Sequence, residues 1–294
     1  MQDQPLQKIN HLIRDEFGRP SGVLLLNKPA GITSHDLVNQ VRQQLHFKRV
    51  GHAGALDTFS SGLMLILVGK ATKFSDALMK HNKSYKARVI LGIATDTQDP
   101  EGVITYVTEV SEAPKNIDQV LKKFIGKNEQ YVSLFSSVKV KGNKLRVLMR
   151  DQRYDHKVTE QAGKKIITFI PKEKYAVTEF TLTVPKKEIE IEAIKLIDQG
   201  GLNKSDLPYQ PNNLAKIAAN SNFFYLDLEI ACSKGTYIRQ FAEDLGEKLN
   251  LPASLIALER IKIGKYSSTQ AIKLQDLTLE VLNGKFSELP GGNK

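Results

Sequence analysis

The chain has 294 residues, of which 41% are hydrophobic, so it is long enough to bury the core of one large domain or two ordinary ones. Its formal net charge of +10 favours an anionic partner such as nucleic acid, although a solvated basic surface would carry the same charge. The single cysteine, Cys232, excludes an internal disulfide, a cysteine-rich zinc site and a Cys-x-x-Cys redox pair.

The first half of the chain alternates short strands and helices. Residues 1–20 form a polar N-terminal extension without the apolar core of a signal sequence, and the apolar run at 63–68 is too short to cross a bilayer, so we expect a soluble, cytoplasmic protein. Thr33 and Asp36 are spaced as the N-terminal cap of a helix. Hydrophobic periodicity predicts strands at 23–26, 63–68, 85–91 and 138–140, and helices through 37–45, 72–79 and 117–124.

The second half begins with its least regular stretch, residues 150–221. Strand-like runs there lie at 166–170, 181–184 and 189–194, and we expect an insertion at about 164–184 and a loop at about 197–222. A clean strand at 226–232 and a helical stripe from Ile238 to Leu249 follow. Because strands and helices interleave without a strict repeat, the predicted fold class is α+β. The predicted divisions are an extension at 1–20, one main domain at 21–267, and a short tail at 268–294 that is disordered from 289.

The segment between Lys48 and Gly69 contains one carboxylate, Asp57. Three glycines within residues 51–62 let the backbone turn tightly and approach a ligand closely. An isolated aspartate beside glycine is more often a turn residue that caps backbone amides. Here the loop is anchored to the predicted strand that follows it, which favours Asp57 as an acid held in a fixed place.

Three other features fit an acid that acts on RNA. Arg239 lies in the first turn of its predicted helix, where a cation opposes the helix dipole, so we expect a carboxylate or phosphate partner; the alternative is an exposed arginine that covers apolar surface. Tyr85 begins a strand among cations, as a stacked nucleobase requires, although a lone strand tyrosine is more often core. A backbone-binding stripe, or else a solvated face, is formed by Lys139, Lys141, Lys144, Arg146, Arg150 and Arg153.

Several other chemistries lack their motifs. Gly62 and the Gly69-Lys70 pair miss the spacing and the hydroxyl residue of a phosphate-binding loop. No histidine is followed two residues later by glutamate, as a zinc deaminase requires. The segment around Ser233 lacks the first glycine of a nucleophile elbow, which leaves a serine hydrolase as a distant alternative. We therefore expect no metal, redox cofactor or nucleotide cofactor.

The segment Gly51-His52-Ala53-Gly54-Ala55-Leu56-Asp57 resembles the Gly-His-x-Gly-x-Leu-Asp catalytic loop of the TruB family of tRNA pseudouridine synthases. Four more segments resemble family motifs in the same order: Lys28-Pro29-Ala30-Gly31-Ile32-Thr33-Ser34, Lys83-Ser84-Tyr85 with Thr95-Asp96-Thr97 and Asp99, Phe135-Ser136-Ser137-Val138-Lys139, and Cys232-Ser233-Lys234-Gly235-Thr236-Tyr237-Ile238-Arg239. They cover roughly residues 22–150 and 224–267. Five motifs in order are very rare by chance, and the chain is identified as a member of this family.

The sequence departs from the family pattern at a few positions. Thr58 stands where proline is usual, Phe135 replaces a tyrosine and Arg146 replaces an aromatic residue. Glu259 lies in a pattern that usually carries two arginines, and we expect it to weaken one RNA contact without removing the chemistry. The stretch before Cys232 is longer than usual, hence the predicted insertion, and no C-terminal RNA-binding PUA domain is evident.

The resemblance implies a pseudouridine synthase fold with a mixed, largely antiparallel sheet, flanking helices and an RNA-binding cleft. It implies conversion of uridine 55 in the T-loop of tRNA to pseudouridine by a monomer that binds the T-arm and needs no cofactor. Two alternatives stay open: a guide-RNA-dependent relative, and a non-catalytic RNA-binding or RNA-folding module that kept the pocket.

The same resemblance assigns roles to single residues. Asp57 is the catalytic carboxylate, Arg239 orients it, and Tyr85 stacks on the target uracil. His52 occupies the space that the flipped base leaves, Lys28 supports the site or touches RNA, and Leu258 forms a pocket wall. The residues expected to contact substrate or RNA are His52, Lys28, Gly54, Leu56, Lys139, Lys144, Lys234, Tyr237 and Leu258.

Overall fold

A computed structural model of the protein describes residues 11–14 and 19–278. Its strands form one large central sheet and three small ones. In chain order the strands are β1 (His11–Arg14), β2 (Pro20–Lys28), β3 (Val50–His52), β4 (Ser61–Val68), β5 (Lys83–Leu91), β6 (Ile93–Thr95), β7 (Ile104–Val107), β8 (Gly126–Tyr131), β9 (Lys139–Val140), β10 (Asn143–Lys144), β11 (Tyr154–Gln161), β12 (Lys164–Pro171), β13 (Phe180–Thr183), β14 (Lys186–Asn203), β15 (Asn222–Cys232), β16 (Ala253–Ile263), β17 (Tyr266–Ser267) and β18 (Ile272–Lys273).

The central sheet follows the order β1-β2-β4-β16-β5-β15-β14-β8, and β3, β17 and β18 pair with its members. Among the described strands, every ladder is antiparallel except β4 with β16 and β2 with β18. The predicted α+β class with a mixed, largely antiparallel sheet is confirmed. The parallel β4–β16 pair positions the site, because it places Glu259 and Arg260 opposite Ser61 and Gly62, where the Asp57 loop ends.

Helices flank the sheet. They are α1 (Ser34–Leu45), α2 (Ser75–Met79), α3 (Ile117–Lys122), α4 (Leu145–Met149), α5 (Pro211–Leu214) and α6 (Ile238–Leu249). Helix α1 begins with the capping box that the sequence predicts, since the Thr33 side chain accepts a hydrogen bond from the Asp36 amide. Within the described part of the chain, no helix has the length and apolar character needed to span a membrane.

The main core lies between the sheet and its two longest helices. Leu37 and Val41 of α1 and Phe241 and Leu245 of α6 are fully buried among apolar side chains of the central strands. Each such side chain contributes roughly 1.5–3 kcal/mol to folding when it leaves water. The Phe124 ring meets the edge of Phe241 at a centroid distance of 4.9 Å, which joins α6 to the end of α3. These helices therefore fix the end of α6 that carries Arg239.

Both predicted chain ends differ from the structure. In the extension expected at 1–20, β1 pairs with β2 and Leu12 is buried. In the tail expected at 268–294, β18 pairs with β2 and Leu277 is buried, while the disorder expected from 289 lies outside the described residues. Single apolar residues in polar stretches carry no periodic signal, so only their long-range contacts with β2 show that they belong to the domain.

The loop predicted at 197–222 is shorter in the structure. Strand β14 continues to Asn203, which pairs with Asn222 at the start of β15. The sequence around Gly200 is typical of a loop, but the Tyr225 ring of the neighbouring strand covers that glycine and compensates for its missing side chain. The helix predicted at 72–79 also differs, because it begins as a 3-10 turn at Gly69–Phe74 and only α2 is α-helical.

Residues 154–183, which contain most of the predicted insertion at 164–184, form a separate antiparallel sheet of strands β11, β12 and β13. Its inner face buries Ile167, Phe169 and Leu182, and the Phe169 and Phe180 rings stack at 4.5 Å. This small core also contains Leu145 and Met149 of α4. The small sheet therefore packs beside the basic hairpin β9–β10, and the Tyr131 hydroxyl of β8 joins it to the central sheet through bonds to Gly163 and Lys165. That the segment is an insertion stays a prediction.

A half-buried acid on α6, Asp244, supports a prediction about stability. Burial raises the pKa of Asp244 to about 6, although a hydrogen bond of 2.8 Å from Gln240 opposes the shift. An acid with a raised pKa keeps its proton in the folded state, so the free energy of unfolding falls as pH rises from about 4 to about 6. Asp244→Asn retains the acceptor oxygen without the charge. We expect its stability advantage over the native chain to grow by about 2 kcal/mol between pH 4 and pH 7.5.

Urea unfolding at the two pH values measures this difference. Glu188→Gln, which neutralises an exposed carboxylate, serves as the control and should show no comparable change. If the stability advantage of Asp244→Asn is the same at both pH values, the raised pKa of Asp244 in the folded state is contradicted.

Candidate active site

The Asp57 loop connects β3 to β4 and is fixed at several points. The Leu56 amide and carbonyl both bond the Ser34 hydroxyl at the start of α1, at 2.8 and 3.0 Å. The Gly31 amide donates to the Thr58 carbonyl at 2.8 Å. Gly62 has φ +110°, and a Cβ there would lie 2.6 Å from the backbone nitrogen of Arg260, so only glycine fits where β4 meets β16. The loop is therefore held rigidly on both sides of Asp57.

Asp57 and Arg239 form a two-pronged ion pair. Arg239 Nε lies 2.9 Å from Asp57 Oδ2, and Nη2 donates to Asp57 Oδ1 at 3.3 Å. The arginine side chain is only 7% exposed, whereas that of the aspartate is 40% exposed. A fork of this kind fixes both the charge and the orientation of a carboxylate. Asp57 thus keeps a face toward solvent that a substrate is able to reach, and the partner predicted for Arg239 is found.

A second carboxylate, Asp99, bonds the other side of the same guanidinium. Arg239 Nη1 lies 3.2 Å from Asp99 Oδ2 and also donates to the Thr97 carbonyl at 3.0 Å. Asp99 is 3% exposed; burial raises its pKa, and the charge of Arg239 opposes that rise. The Thr97 hydroxyl and the Glu101 amide donate to Asp99 Oδ1 at 2.6 and 3.0 Å. Arg239 is therefore positioned from behind by an acid that was not expected as a site residue.

These residues line a cleft of about 810 Å³. Asp57 and Tyr85 lie in it together with four of the expected contact residues, His52, Leu56, Tyr237 and Leu258. Phe135 and the exposed cations Arg146 and Arg150 form another part of its lining. The cleft thus combines a fixed acid, aromatic and aliphatic walls, and positive charge near its edge, a combination suited to a nucleotide.

Behind the loop lies a buried cation, Arg260, which the sequence analysis also missed as a site residue. It is 2% exposed and donates to the carbonyls of Gly54 (3.2 Å), Ala55 (3.2 Å) and Leu63 (2.8 Å). Its register partner on β5 is Tyr85. A signal was present in the strand pattern, because Leu258 and Arg260 lie two residues apart and so face the same side of β16.

Two of the expected contact residues do not line the cleft. Lys28 is fully buried, and its Nζ donates to the carbonyls of Pro29 (3.0 Å), Ile32 (2.6 Å) and Thr58 (3.3 Å). Burial lowers the pKa of Lys28 to about 8. It therefore supports the Asp57 loop, which is one of the two roles expected for it. Lys234 is exposed and lines a different concavity with Lys127 and Glu190, because it lies beyond the end of β15.

The remaining expected contact residues also lie outside the lining of the cleft. Lys139 and Lys144 are exposed register partners in the β9–β10 hairpin, outside the lining of the cleft. Gly54 contributes a backbone carbonyl to Arg260 instead of a surface to the substrate. Glu259 lines a neighbouring concavity with Lys86 and Arg88, so its negative charge does not enter the Asp57 cleft.

His52 lies in the cleft as an uncharged ring. Burial, followed by the charges of Arg260 and His35, lowers the pKa of His52 below its usual value. Its Nδ1 atom is buried and has no hydrogen-bond partner within the described chain. A neutral imidazole whose Nδ1 atom has no partner loses neither a hydrogen bond nor an ion pair when it moves to contact a nucleotide.

Comparison with known proteins identifies the family. Residues 42–188 match the family described as TruB family pseudouridylate synthase (N terminal domain). A protein named tRNA pseudouridine synthase B from Buchnera aphidicola subsp. Baizongia pistaciae is 32% identical over 262 residues, covering 89% of this chain and 71% of that protein. A protein of the same name from Staphylococcus saprophyticus is 34% identical over 260 residues, covering 87% of this chain and 71% of that protein.

A solved Cbf5-Nop10-Gar1 complex contains a chain of similar fold, with a TM-score of 0.51 and 22% identity. The alignment covers 87% of this chain and 53% of that chain, so the protein spans about half the length of its structural relative. This likeness concerns the fold alone. The family match and the two sequence relatives confirm the resemblance seen in the motifs, and the chain belongs to the TruB family of pseudouridylate synthases.

Proposed function

We propose that the protein converts uridine 55 in the T-loop of tRNA to pseudouridine, with Asp57 as the catalytic carboxylate. The observation that supports this most is the Asp57–Arg239 pair, in which a half-exposed acid is fixed by a buried guanidinium at the base of a nucleotide-sized cleft. The named relatives are tRNA pseudouridine synthases, which supports tRNA as the substrate.

The reaction breaks the bond between ribose C1′ and uracil N1, turns the base and joins C1′ to C5. The C5 proton is lost and N1 gains one, so the product is an isomer of the substrate. Asp57 acts either as a nucleophile on the sugar or base or as a proton acceptor, and in each role it must be ionised and oriented. Arg239 provides the orientation, because its fork holds both oxygens of the carboxylate and leaves one face open.

The target uridine must leave the folded T-loop to reach Asp57. Flipping a nucleotide costs a few kcal/mol, which contacts in the cleft offset. Tyr85 and Leu258, both about nine-tenths buried, provide an aromatic and an aliphatic wall for the base. His52, neutral and without a partner at Nδ1, is placed to contact the loop from which the base departs.

The T-arm backbone binds along the cationic edge of the cleft in this proposal. Arg146 and Arg150 lie in the cleft lining, and the β9–β10 hairpin continues the positive charge outward. We propose that a monomer in the cytoplasm carries out the reaction. Thr58 replaces the usual proline without loss, since only its backbone carbonyl is used, by Gly31 and Lys28.

Neutralising Lys139, Lys141 and Lys144 together to glutamine should reduce the salt dependence of tRNA binding. Each lysine that contacts a phosphate adds about 0.7–0.9 to the slope of log affinity against log salt, so we expect the slope to fall by about 2–3. Binding titrations with unmodified tRNA at several salt concentrations measure it. A matched triple change of the exposed Lys115, Lys122 and Lys123 should leave the slope near native. Equal losses in both variants would mean that the hairpin has no particular role.

The proposed function is tested by incubating the purified protein with an unmodified tRNA transcript and mapping pseudouridine at single-nucleotide resolution. We expect one modified position, uridine 55, without added guide RNA or cofactor. Modification at another uridine would overturn the position but not the reaction. No modification, with tRNA still bound, would favour a non-catalytic RNA-binding module.

A further inference from the structure

Arg260 is a buried cation without an acidic partner. Its three described hydrogen bonds all go to backbone carbonyls, of Gly54, Ala55 and Leu63. Among the described residues, no carboxylate forms an ion pair with it. Removing a charge from water in this way costs free energy, and a neutral side chain in its place would make the fold more stable. Its retention beside the cleft therefore suggests a task that needs the charge.

The neighbours of Arg260 identify that task. Strand pairing places Arg260 directly across from Tyr85, and side chains in such a pair lie about 5 Å apart on one face of the sheet. Both side chains are at least nine-tenths buried, and the charge of the guanidinium acts on the Tyr85 hydroxyl. Arg260 thus contacts the backbone of the Asp57 loop on one side and the cleft tyrosine on the other.

Together with burial, the charge of Arg260 also lowers the pKa of three basic side chains. The charge of Arg260 opposes the protonated forms of Lys28, His52 and Lys83. Lys28 and Lys83 donate hydrogen bonds to backbone carbonyls. The Tyr85 oxygen is influenced in addition by the Cys232 thiol and by Asp57. Burial raises the pKa of Tyr85, while the charge of Arg260 opposes that rise. The environment of this hydroxyl is thus apolar but positive.

We propose that Arg260 is a positioning residue that holds the Asp57 loop and the Tyr85 hydroxyl in one arrangement and stabilises negative charge on the Tyr85 oxygen during proton transfer. This inference rests on the proposed function. No bond to Arg260 is made or broken. When the Tyr85 oxygen gives its proton to the flipped base it becomes a phenolate, and it regains a proton from the C5 position or from solvent, while the guanidinium stays protonated throughout.

A double-mutant cycle tests the coupling. Arg260→Lys keeps the charge and loses the fork, and we expect it to slow single-turnover pseudouridine formation about 10- to 100-fold with tRNA affinity unchanged within about threefold. In a Tyr85→Phe background the same change should slow the reaction by no more than a further factor of about three, because the Tyr85 oxygen that Arg260 stabilises is absent. Lys262→Gln on the same strand is the control and should leave the rate near native. Equal losses in both backgrounds would overturn the proposal and leave Arg260 a loop support only.

A second measurement does not depend on activity. The hydroxyl of 3,5-difluorotyrosine at position 85 titrates in an accessible pH range, and its ionisation is followed by absorbance in the folded protein. Removing the charge with Arg260→Gln should raise the pKa at position 85 by at least about one unit, and Arg260→Lys by less. An unchanged pKa in both variants would refute the electrostatic role. A native chain that forms no pseudouridine would instead refute the proposed function, and the titration would still report on Arg260.

Discussion

Asp57→Asn is expected to abolish pseudouridine formation and to leave folding and tRNA binding near native. The amide retains the shape of the carboxylate and one acceptor oxygen for Arg239, but it is neither a nucleophile nor a proton acceptor. Arg239 keeps its second carboxylate, Asp99, at 3.2 Å, so no buried cation is left unpaired. The chemical step should therefore fall by at least about 10⁴-fold while the protein remains intact.

Single-turnover assays with enzyme in excess over an unmodified tRNA transcript measure this loss, and a binding titration and a thermal melt on the same preparation complete the test. The matched control is Asp227→Asn. Asp227 forms the same kind of two-pronged pair with Arg88, at 2.7 and 2.5 Å, on another face of the sheet. The control should keep its rate within about threefold. Turnover by Asp57→Asn within tenfold of native would refute the assignment of the catalytic acid.

Arg239→Lys is expected to have the second-largest effect, a loss of about 10²- to 10³-fold in the chemical step with much less loss in tRNA affinity. A lysine keeps the positive charge between the two acids but cannot bond Asp57 through two nitrogens and Asp99 through a third. Asp57 would keep a cation beside it but would lose its fixed orientation. Alanine is the poorer test, because it leaves the buried Asp99 without its partner, at about 3–5 kcal/mol.

Rate and affinity must be measured separately for this variant, since a positioning defect lowers the rate constant whereas a lost RNA contact weakens binding. Arg88→Lys is the matched control, in a similar fork outside the cleft. Equal losses in rate for the two variants would attribute the effect to general destabilisation. A loss in affinity as large as the loss in rate would mean that Arg239 contacts RNA instead of orienting Asp57.

Much of the fold was predictable because its strongest signals are local. The runs at 63–68 and 226–232 lie within β4 and β15, and the Thr33–Asp36 spacing begins α1 as expected. Alternation and capping depend on residues a few positions apart, so these signals do not depend on the tertiary contacts of the rest of the chain. The predicted strand ends before the glycines of β14, because glycine carries no alternation signal. The place of Gly200 in the strand depends on the Tyr225 ring of the neighbouring strand, which covers it.

The candidate site divides in the same way. The sequence by itself determined that Asp57 sits in a glycine-rich loop and that Arg239, placed against its helix dipole, needs an anion, and the two meet although 182 residues separate them. Only the tertiary structure decided that Asp99 shares the guanidinium, that Arg260 and Lys28 turn inward, and that Lys234 lies outside the cleft. The physical reason is that the solvation of a charged side chain favours the surface, and its burial becomes possible only where the fold supplies carbonyls or carboxylates as partners.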